Sequence, residues 1–215
     1  KIRPQKKLRM VLDPGNGTAC GIAEDIFRKA GHEVSVINGI PDGTFPSRPS
    51  DPLEENVSKL KEEVLRQKAD MGLAFDGDVD RLAFIDNLGR YVSSGNITIP
   101  IFSEHYLKKS RGAKIVYDVC CSSYVDESIE EMGGTPVVSK VGHSFVMNKM
   151  KETGAVFGGE YSNHLYFSEI FGFDDAIFAG LKIADIVSSS GRSLGEIVDA
   201  IPKYPASKVL EIPCD

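Results

Sequence analysis

Short apolar, β-branched runs alternate with charged segments of helical period along this chain, and the alternation runs through twice. No other feature restricts the fold so tightly, because strand–helix–strand order produces sheets with helices on both faces. Residues 8–13 read as a strand. Pro14-Gly15-Asn16-Gly17-Thr18 is a turn, and Ile22, Ile26, Phe27 and Ala30 then recur at helical spacing until Gly31 stops the helix. Strands are predicted at 33–37, 71–75 and 82–85. A charged surface helix is predicted at 54–68. A further helix follows at 96–109, in which Pro100 is tolerable only within the first turn. Lys108-Lys109-Ser110-Arg111-Gly112 then separates a second round. It has strands at 114–119, 136–140, 155–158 and 165–167 and helices at 124–132 and 144–152. Ile177, Gly180, Leu181 and Ala184 mark one face of another helix, and the last spans 193–201. The expectation is an α/β chain of two successive three-layer domains with mainly parallel sheets, at 1–110 and 111–203. Residues 204–215 read as a linker that opens a further domain, with a strand at 208–212.

In sheets of this class the functional loops lie beyond the carboxyl ends of the strands. Asp76-Gly77-Asp78-Val79-Asp80-Arg81 occupies such a place, directly after the apolar run 71–75. Three carboxylates packed so closely repel one another as water is excluded, and a divalent cation is the simplest compensation. Oxygen donors without sulfur or imidazole beside them favour Mg²⁺ over Zn²⁺, and Arg81 can grip a phosphate through its fork. An EF-hand is excluded, since its glycine and glutamate positions, counted from Asp76, hold Arg81 and Asn87. A solvated turn is the plain alternative, but apolar runs on both sides make a loop held between buried strands the better reading. The Gly/Pro/Asp-rich loop 38–52 is long for a compact domain, which marks it as functional.

A second polar group follows the strand at 155–158. Gly158 and Gly159 allow a ligand close to the backbone. Glu160, Ser162 and His164 alternate, and in an extended loop they project from one side. A carboxylate and a hydroxyl suit sugar hydroxyls, and a histidine suits a phosphate or a proton; exposed polar residues on a glycine turn would look the same. His143, in Lys140-Val141-Gly142-His143-Ser144, opens a helix, where an anion is welcome, although a plain first-turn residue fits equally. His32 and His105 read as structural. Asp13-Pro14-Gly15-Asn16-Gly17 matches a nucleotide-binding glycine loop only in part, with Cys20 at the third glycine's place, and reads as a structural turn.

Bulk properties narrow the setting. A net charge of −6 argues against nucleic acid or an anionic membrane as partner, and no run approaches the about 18 apolar residues of a membrane helix. Lys1-Ile2-Arg3-Pro4 is followed by no apolar core and does not read as a signal peptide. Cys20, Cys120, Cys121 and Cys214 fit neither a zinc site nor a disulfide framework, so a reduced, cytoplasmic protein is expected.

Taken in order and spacing, several of these segments resemble the two middle domains of the α-D-phosphohexomutases, the family of phosphomannomutase and phosphoglucomutase. Asp76-Gly77-Asp78-Val79-Asp80-Arg81 is similar to that family's metal loop and Gly159-Glu160-Tyr161-Ser162-Asn163-His164 to its sugar-binding loop. Asp13-Pro14-Gly15-Asn16-Gly17, Gly43-Thr44-Phe45-Pro46, Val141-Gly142-His143-Ser144 and Phe171-Gly172-Phe173-Asp174-Asp175 match as well. The resemblance implies an isomerase of carbohydrate metabolism that moves a phosphoryl group between C1 and C6 of mannose or glucose phosphate through a bisphosphorylated sugar. Glucosamine phosphate is the alternative substrate. A phosphoserine elsewhere in the parent chain completes the Mg²⁺ shell. Asp76, Asp78 and Asp80 would hold the metal and Arg81 the phosphoserine or intermediate. Glu160 and Ser162 would hold two sugar hydroxyls. His143 would lie near the reacting oxygen or phosphate and His164 near the phosphoserine.

Three departures bear on substrate preference. Val79 and Asn163 stand where the family usually has glycine, and Cys120 stands where bacterial members commonly place a lysine. No Thr-Ala-Ser-His-Asn-like segment and no fourth-domain phosphate loop is found. The chain therefore reads as the middle fragment of a longer enzyme, inactive alone and dependent on the missing flanking domains. Two rival functions remain. One is a haloacid-dehalogenase-like phosphatase, resembled by Phe75-Asp76-Gly77-Asp78, although Asp80 fills the slot of a Thr or Val and the strand is not the first. The other is a sugar-phosphate-binding module without catalysis.

Overall fold

In a computed structural model, which describes residues 4–202 and 204, the apolar runs become ten strands and the periodic segments seven α-helices among the described residues. In chain order they are β1 (Arg9–Asp13), α1 (Ile22–Lys29), β2 (Glu33–Val36), α2 (Ser58–Gln67), β3 (Met71–Phe75), β4 (Leu82–Asp86), β5 (Tyr91–Val92) and α3 (Gly95–Leu107). The second round gives β6 (Lys114–Asp118), α4 (Ser123–Glu131), β7 (Thr135–Ser139), α5 (His143–Thr153), β8 (Phe157–Gly159), β9 (Leu165–Phe167), β10 (Phe173–Asp174), α6 (Ala176–Ser190) and α7 (Leu194–Asp199). The predicted strand at 208–212 lies outside the described residues. No helix among them is long and apolar enough to cross a membrane.

The strands form two five-stranded sheets, ordered β2-β1-β3-β4-β5 and β10-β9-β8-β6-β7. Read from its parallel edge, the second sheet repeats the topology of the first. Each is mixed rather than mainly parallel. β1 pairs parallel with β2 and β3, and β6 with β7 and β8, whereas β4, β5, β9 and β10 run antiparallel to their neighbours. The reason is loop length: a parallel crossover needs about a dozen residues or more, and only residues 76–81, 87–90, 160–164 and 168–172 separate the strands concerned. The loops 76–81 and 160–164 therefore reverse the chain at the carboxyl end of a central strand.

Alternation along the strands sends side chains to opposite faces. Val11, Ala74, Ala83 and Ile85 meet Leu60 and Val64 of α2 on one face of the first sheet. On the other face Leu12, Leu73, Phe75 and Phe84 join Phe27 of α1 and a core that continues into the second sheet. There Val116 and Tyr166 meet Val146 and Met150 of α5 on the outer face.

Two helices tie the sheets together by crossing over. α3, which follows the first sheet and was expected to close its unit, packs instead against β8 and α4 of the second. α6, which follows the second sheet, packs on β4 of the first. A β-carbon at Gly180 of α6 would lie 2.8 Å from Phe27 and 3.0 Å from Leu73, so glycine lets the helix seat closely there. Ser188 of α6 also accepts from the Lys6 amide and donates to the Lys6 carbonyl, both at 2.8 Å. Pro100 lies past the first turn of α3, against expectation. The helix tolerates it because it is buried on nearly all sides, with Ile99, Ile101 and Phe102 in the shared core, and burial outweighs one lost hydrogen bond.

Candidate active site

Asp76 is the first residue beyond the fully buried β3 and is itself only 2% exposed. Its Oδ1 accepts from the Val79 amide (2.9 Å) and the Arg81 amide (3.1 Å), and its Oδ2 accepts from Arg81 Nε (3.1 Å). These bonds close the loop upon itself and bring carboxylate oxygens of Asp76, Asp78 and Asp80 within 4.8 Å of one another. Burial and the neighbouring Asp80 push the Asp76 carboxyl up to about 6, against the pull of Arg81. Oδ1 of Asp80 is buried and accepts no hydrogen bond among the described residues; Arg81 Nε is 3.7 Å from it. An orphaned carboxylate oxygen inside an all-oxygen cluster is a ligand set suited to a hard divalent cation.

The loop is clamped from both sides. The Gly77 carbonyl accepts from the amide and hydroxyl of Thr18, at 3.1 and 3.0 Å. The Val79 carbonyl accepts from the amide of Ala176, the first residue of α6 (3.0 Å). Val79 has φ 74°, a region that a β-branched residue occupies only under strain.

Loop 38–52 buttresses this arrangement from below. Arg48 is buried and donates Nε to Asp13 Oδ2 (2.9 Å) and Nη2 to the Phe75 carbonyl (2.6 Å), one residue before Asp76. Asp51 accepts from Arg81 Nη1 at 3.0 Å, so the Arg81 guanidinium is held between Asp51 and Asp76.

The second loop is a closed turn rather than the extended strip that alternation predicts. The Glu160 amide donates to the His164 carbonyl and the Asn163 amide to the Glu160 carbonyl. Asn163 supplies the reversal at φ 71°, where asparagine is among the tolerated residues. Its buried side chain accepts from Thr98 Oγ1 (2.6 Å) and donates to the Leu82 carbonyl of the first sheet. Glu160 and His164 consequently converge while Ser162 remains exposed. Glu160 is 2% exposed; it accepts from the Gly142 amide and the Tyr166 hydroxyl, each at 2.7 Å, and stands 3.2 Å from His164 Nδ1. Burial pushes its pKa up, but these three partners outweigh burial and hold it below the usual value.

His164 joins the two loops. It shares a backbone bridge with Arg81, and its Nε2 lies 3.8 Å from Asp80 Oδ1. Burial opposes its charge, yet Glu160, Asp80 and Asp174 together raise its pKa. His143, at the start of α5, reaches the same place: its Nδ1 lies 3.1 Å from Asp174 Oδ2. Burial raises the Asp174 carboxyl, with His143 and His164 pulling it back in part.

The acidic triad, Arg81, Glu160, His164 and His143 are thus brought into one cluster, with Ser162 on its exposed rim. The sequence reading did not single out Asp174, Asp51, Tyr166 or the Arg48–Asp13 pair as site residues. Asp174 sits in a quoted motif and Asp51 and Arg48 in a loop marked as functional; Tyr166 carried no signal beyond a strand aromatic. His32 is structural, accepting from the Leu8 amide through Nδ1. Cys20, Cys120 and Cys121 are free thiols. A groove of about 320 Å³ beside Tyr161, lined by Ser94, Asn96, Tyr124 and Tyr204, contains none of the eight predicted site residues.

Comparison with known proteins identifies the family of the two units. The family description "Phosphoglucomutase/phosphomannomutase, alpha/beta/alpha domain II" matches residues 1–89, and domain III of the same family matches residues 94–204. A phosphomannomutase/phosphoglucomutase of Pseudomonas syringae pv. tomato is 38% identical over 199 residues, covering 92% of this chain and 43% of the relative. A phosphoglucomutase of Neisseria gonorrhoeae is 34% identical over 218 residues, covering 98% and 46%. The chain therefore spans under half the length of these relatives. Among solved structures, a phosphoglucomutase/phosphomannomutase family protein of Burkholderia thailandensis superposes with a TM-score of 0.90 at 33% identity, covering 94% of this chain and 44% of that one. The phosphoglucomutase parafusin of Paramecium shares the fold, with a TM-score of 0.75 at 21% identity over 91% of this chain and 36% of its own.

Proposed function

The chain belongs to the phosphoglucomutase/phosphomannomutase family, and on that premise we propose that it is the metal- and sugar-binding centre of a phosphohexomutase. The reaction is reversible transfer of a phosphoryl group between C1 and C6 of mannose or glucose phosphate, through a bisphosphorylated sugar. One observation carries the reading. Arg81 and His164 are bridged backbone to backbone, so the acidic loop of one sheet and the polar turn of the other form a single site.

Asp76, Asp78 and Asp80 would hold Mg²⁺, for which the orphaned Asp80 oxygen and the all-oxygen donor set are suited. When bound, the ion neutralises charge on the transferring phosphoryl group, most of what phosphoryl transfer asks of a protein. Arg81, its fork oriented by Asp51 and Asp76, steadies a phosphate. Glu160 has lone pairs left beyond those its partners occupy, and with exposed Ser162 it accepts sugar hydroxyls common to both binding orientations. His143 takes the proton of the attacking sugar hydroxyl, and Asp174 behind it supports the imidazolium. His164 stands by the phosphoserine that other segments of the parent chain supply. The proposal includes a cytoplasmic setting, in which the thiols stay reduced. It also places the division between the two units near residues 90–94, because α3 packs with the second sheet.

Calorimetric titration of Mg²⁺ into this chain tests the reading, with Asp78→Asn as the variant, since Asp78 is exposed and its loss spares the fold. Saturable binding that weakens at least tenfold in Asp78→Asn is expected. A folded chain that takes up no Mg²⁺ at millimolar concentration would refute it. So would steady hydrolysis of a simple phosphate ester by this chain alone, which is phosphatase behaviour.

A further inference from the structure

His143, His164 and Asp174 meet beside the acidic triad, His164 Nε2 lying 3.8 Å from Asp80 Oδ1. His143 Nδ1 is 3.1 Å and His164 Nδ1 3.8 Å from Asp174 Oδ2, and one ligand atom from each of the three residues lies within 4.8 Å of the others. A tetrahedral ion with bonds of about 2.0–2.2 Å needs ligand atoms roughly 3.3 Å apart. The two histidine–Asp174 separations bracket that value.

A second, independent observation points to a ligand. The Asp174 side chain is only 4% exposed, yet its Oδ2 accepts no hydrogen bond among the described residues. The His143 nitrogen 3.1 Å away pairs with it only when the imidazole is protonated. With both imidazoles neutral, a buried carboxylate oxygen that accepts no hydrogen bond is costly unless something else occupies its lone pairs. The start of α5 at His143 works against a cation. Glu160, 3.2 Å from His164 Nδ1, and Asp80, 3.8 Å from its Nε2, work for one.

We propose that His143, His164 and Asp174 form a second cation site, for an ion of the zinc class, separate from the oxygen-only triad. Two imidazoles and one carboxylate are the donor set that zinc accepts and magnesium declines. His143 is 47% exposed, so the ion has access from solvent and its fourth position is open to water. Occupation ties up both ring nitrogens that face Asp174. On the proposed function, and resting on it, this removes His143 from proton transfer and sets a second positive charge beside the magnesium loop. The site is then inhibitory. The binding claim does not depend on that reading.

The test is Zn²⁺ titration of the chain in millimolar Mg²⁺, with Co²⁺ absorption as a spectroscopic reporter of four-coordinate nitrogen–oxygen ligation. Cys120→Ser/Cys121→Ser serves as the background, because adjacent thiols bind zinc on their own. His143→Ala is the main variant, being exposed, and its metal-free melting curve verifies the fold. Zn²⁺ uptake should persist in the thiol-free background and in Asp78→Asn, and should weaken at least tenfold in His143→Ala, with the tetrahedral Co²⁺ band lost. The proposal is overturned if Mg²⁺ displaces Zn²⁺ completely, if zinc uptake disappears with the thiols, or if His143→Ala binds as the parent does. Intact Mg²⁺ binding alongside any of these leaves the proposed function standing while this site falls.

Discussion

The metal-free chain should become more stable as it is acidified, which is the reverse of ordinary acid denaturation. Asp76 is the cause. Its carboxyl titrates at about 6 in the folded chain against an ordinary 3.8. Between those values the folded state holds a proton that the unfolded state has released, so stability falls as pH rises through the interval. The rise corresponds to about 3 kcal/mol lost by the time pH passes well above 6. Asp174, raised by burial, acts with the same sign. His164 is raised above 6.5, so its contribution is fully present below that pH and is lost as pH climbs through the folded value. Glu160 is lowered, so its contribution is present above 4.5 and lost only as pH falls through its depressed value. His32 and His105, which burial lowers from 6.5, act with the opposite sign, because the unfolded state holds their protons longer, and they offset part of the slope. For a chain of this size, about 3 kcal/mol is roughly 6–12 °C in Tm. Urea unfolding at several pH values from 4.5 to 7.5, in chelator, reads the slope. Asp76→Asn should flatten it. The substitution keeps an oxygen for the Val79 and Arg81 amides, and its loss of the Arg81 Nε bond adds a constant offset rather than a slope. Mg²⁺ at about a hundred times its Kd should restore about 2.7 kcal/mol at neutral pH. Stability that rises with pH between 4.5 and 6.5, or an Asp76→Asn variant with the parental slope, would refute the reasoning.

Val79→Gly should be more stable than Val79→Ala by about 1 kcal/mol, because both lose the same partly buried contacts but only glycine is at ease at φ 74°; thermal melts rank the pair. Arg48→Met should cost about 3–5 kcal/mol by stranding buried Asp13 and stripping the Phe75 carbonyl of its donor, read as a lowered urea midpoint. Gly95→Ala should cost about 1–3 kcal/mol, since its β-carbon would sit 2.4 Å from the Glu160 carbonyl oxygen, and amide exchange should quicken in the 160–164 turn if that clash pushes the turn away.

Strands such as β3 and helices such as α1 were legible because a whole period of apolar side chains repeats within each. β5 and β10, two residues each, carry no period to read. The acidic loop announced itself because three like charges adjacent in sequence are adjacent in space whatever the fold. Glu160 was visible as a candidate, but not its burial beneath Tyr166 and Gly142, and Asp174 stayed out of the site because nothing local ties it to His143. The mixed sheets followed from loops whose shortness could have been counted.

Local chemistry along the chain thus determined the elements, their order and the residue types able to bind metal and sugar. Tertiary structure alone decided that α3 and α6 would trade sheets, that Arg48 would underpin Asp76, and that Arg81 would lie against His164. Those outcomes depend on which distant surfaces bury one another, and burial is a property of the assembled molecule that no single stretch of sequence contains.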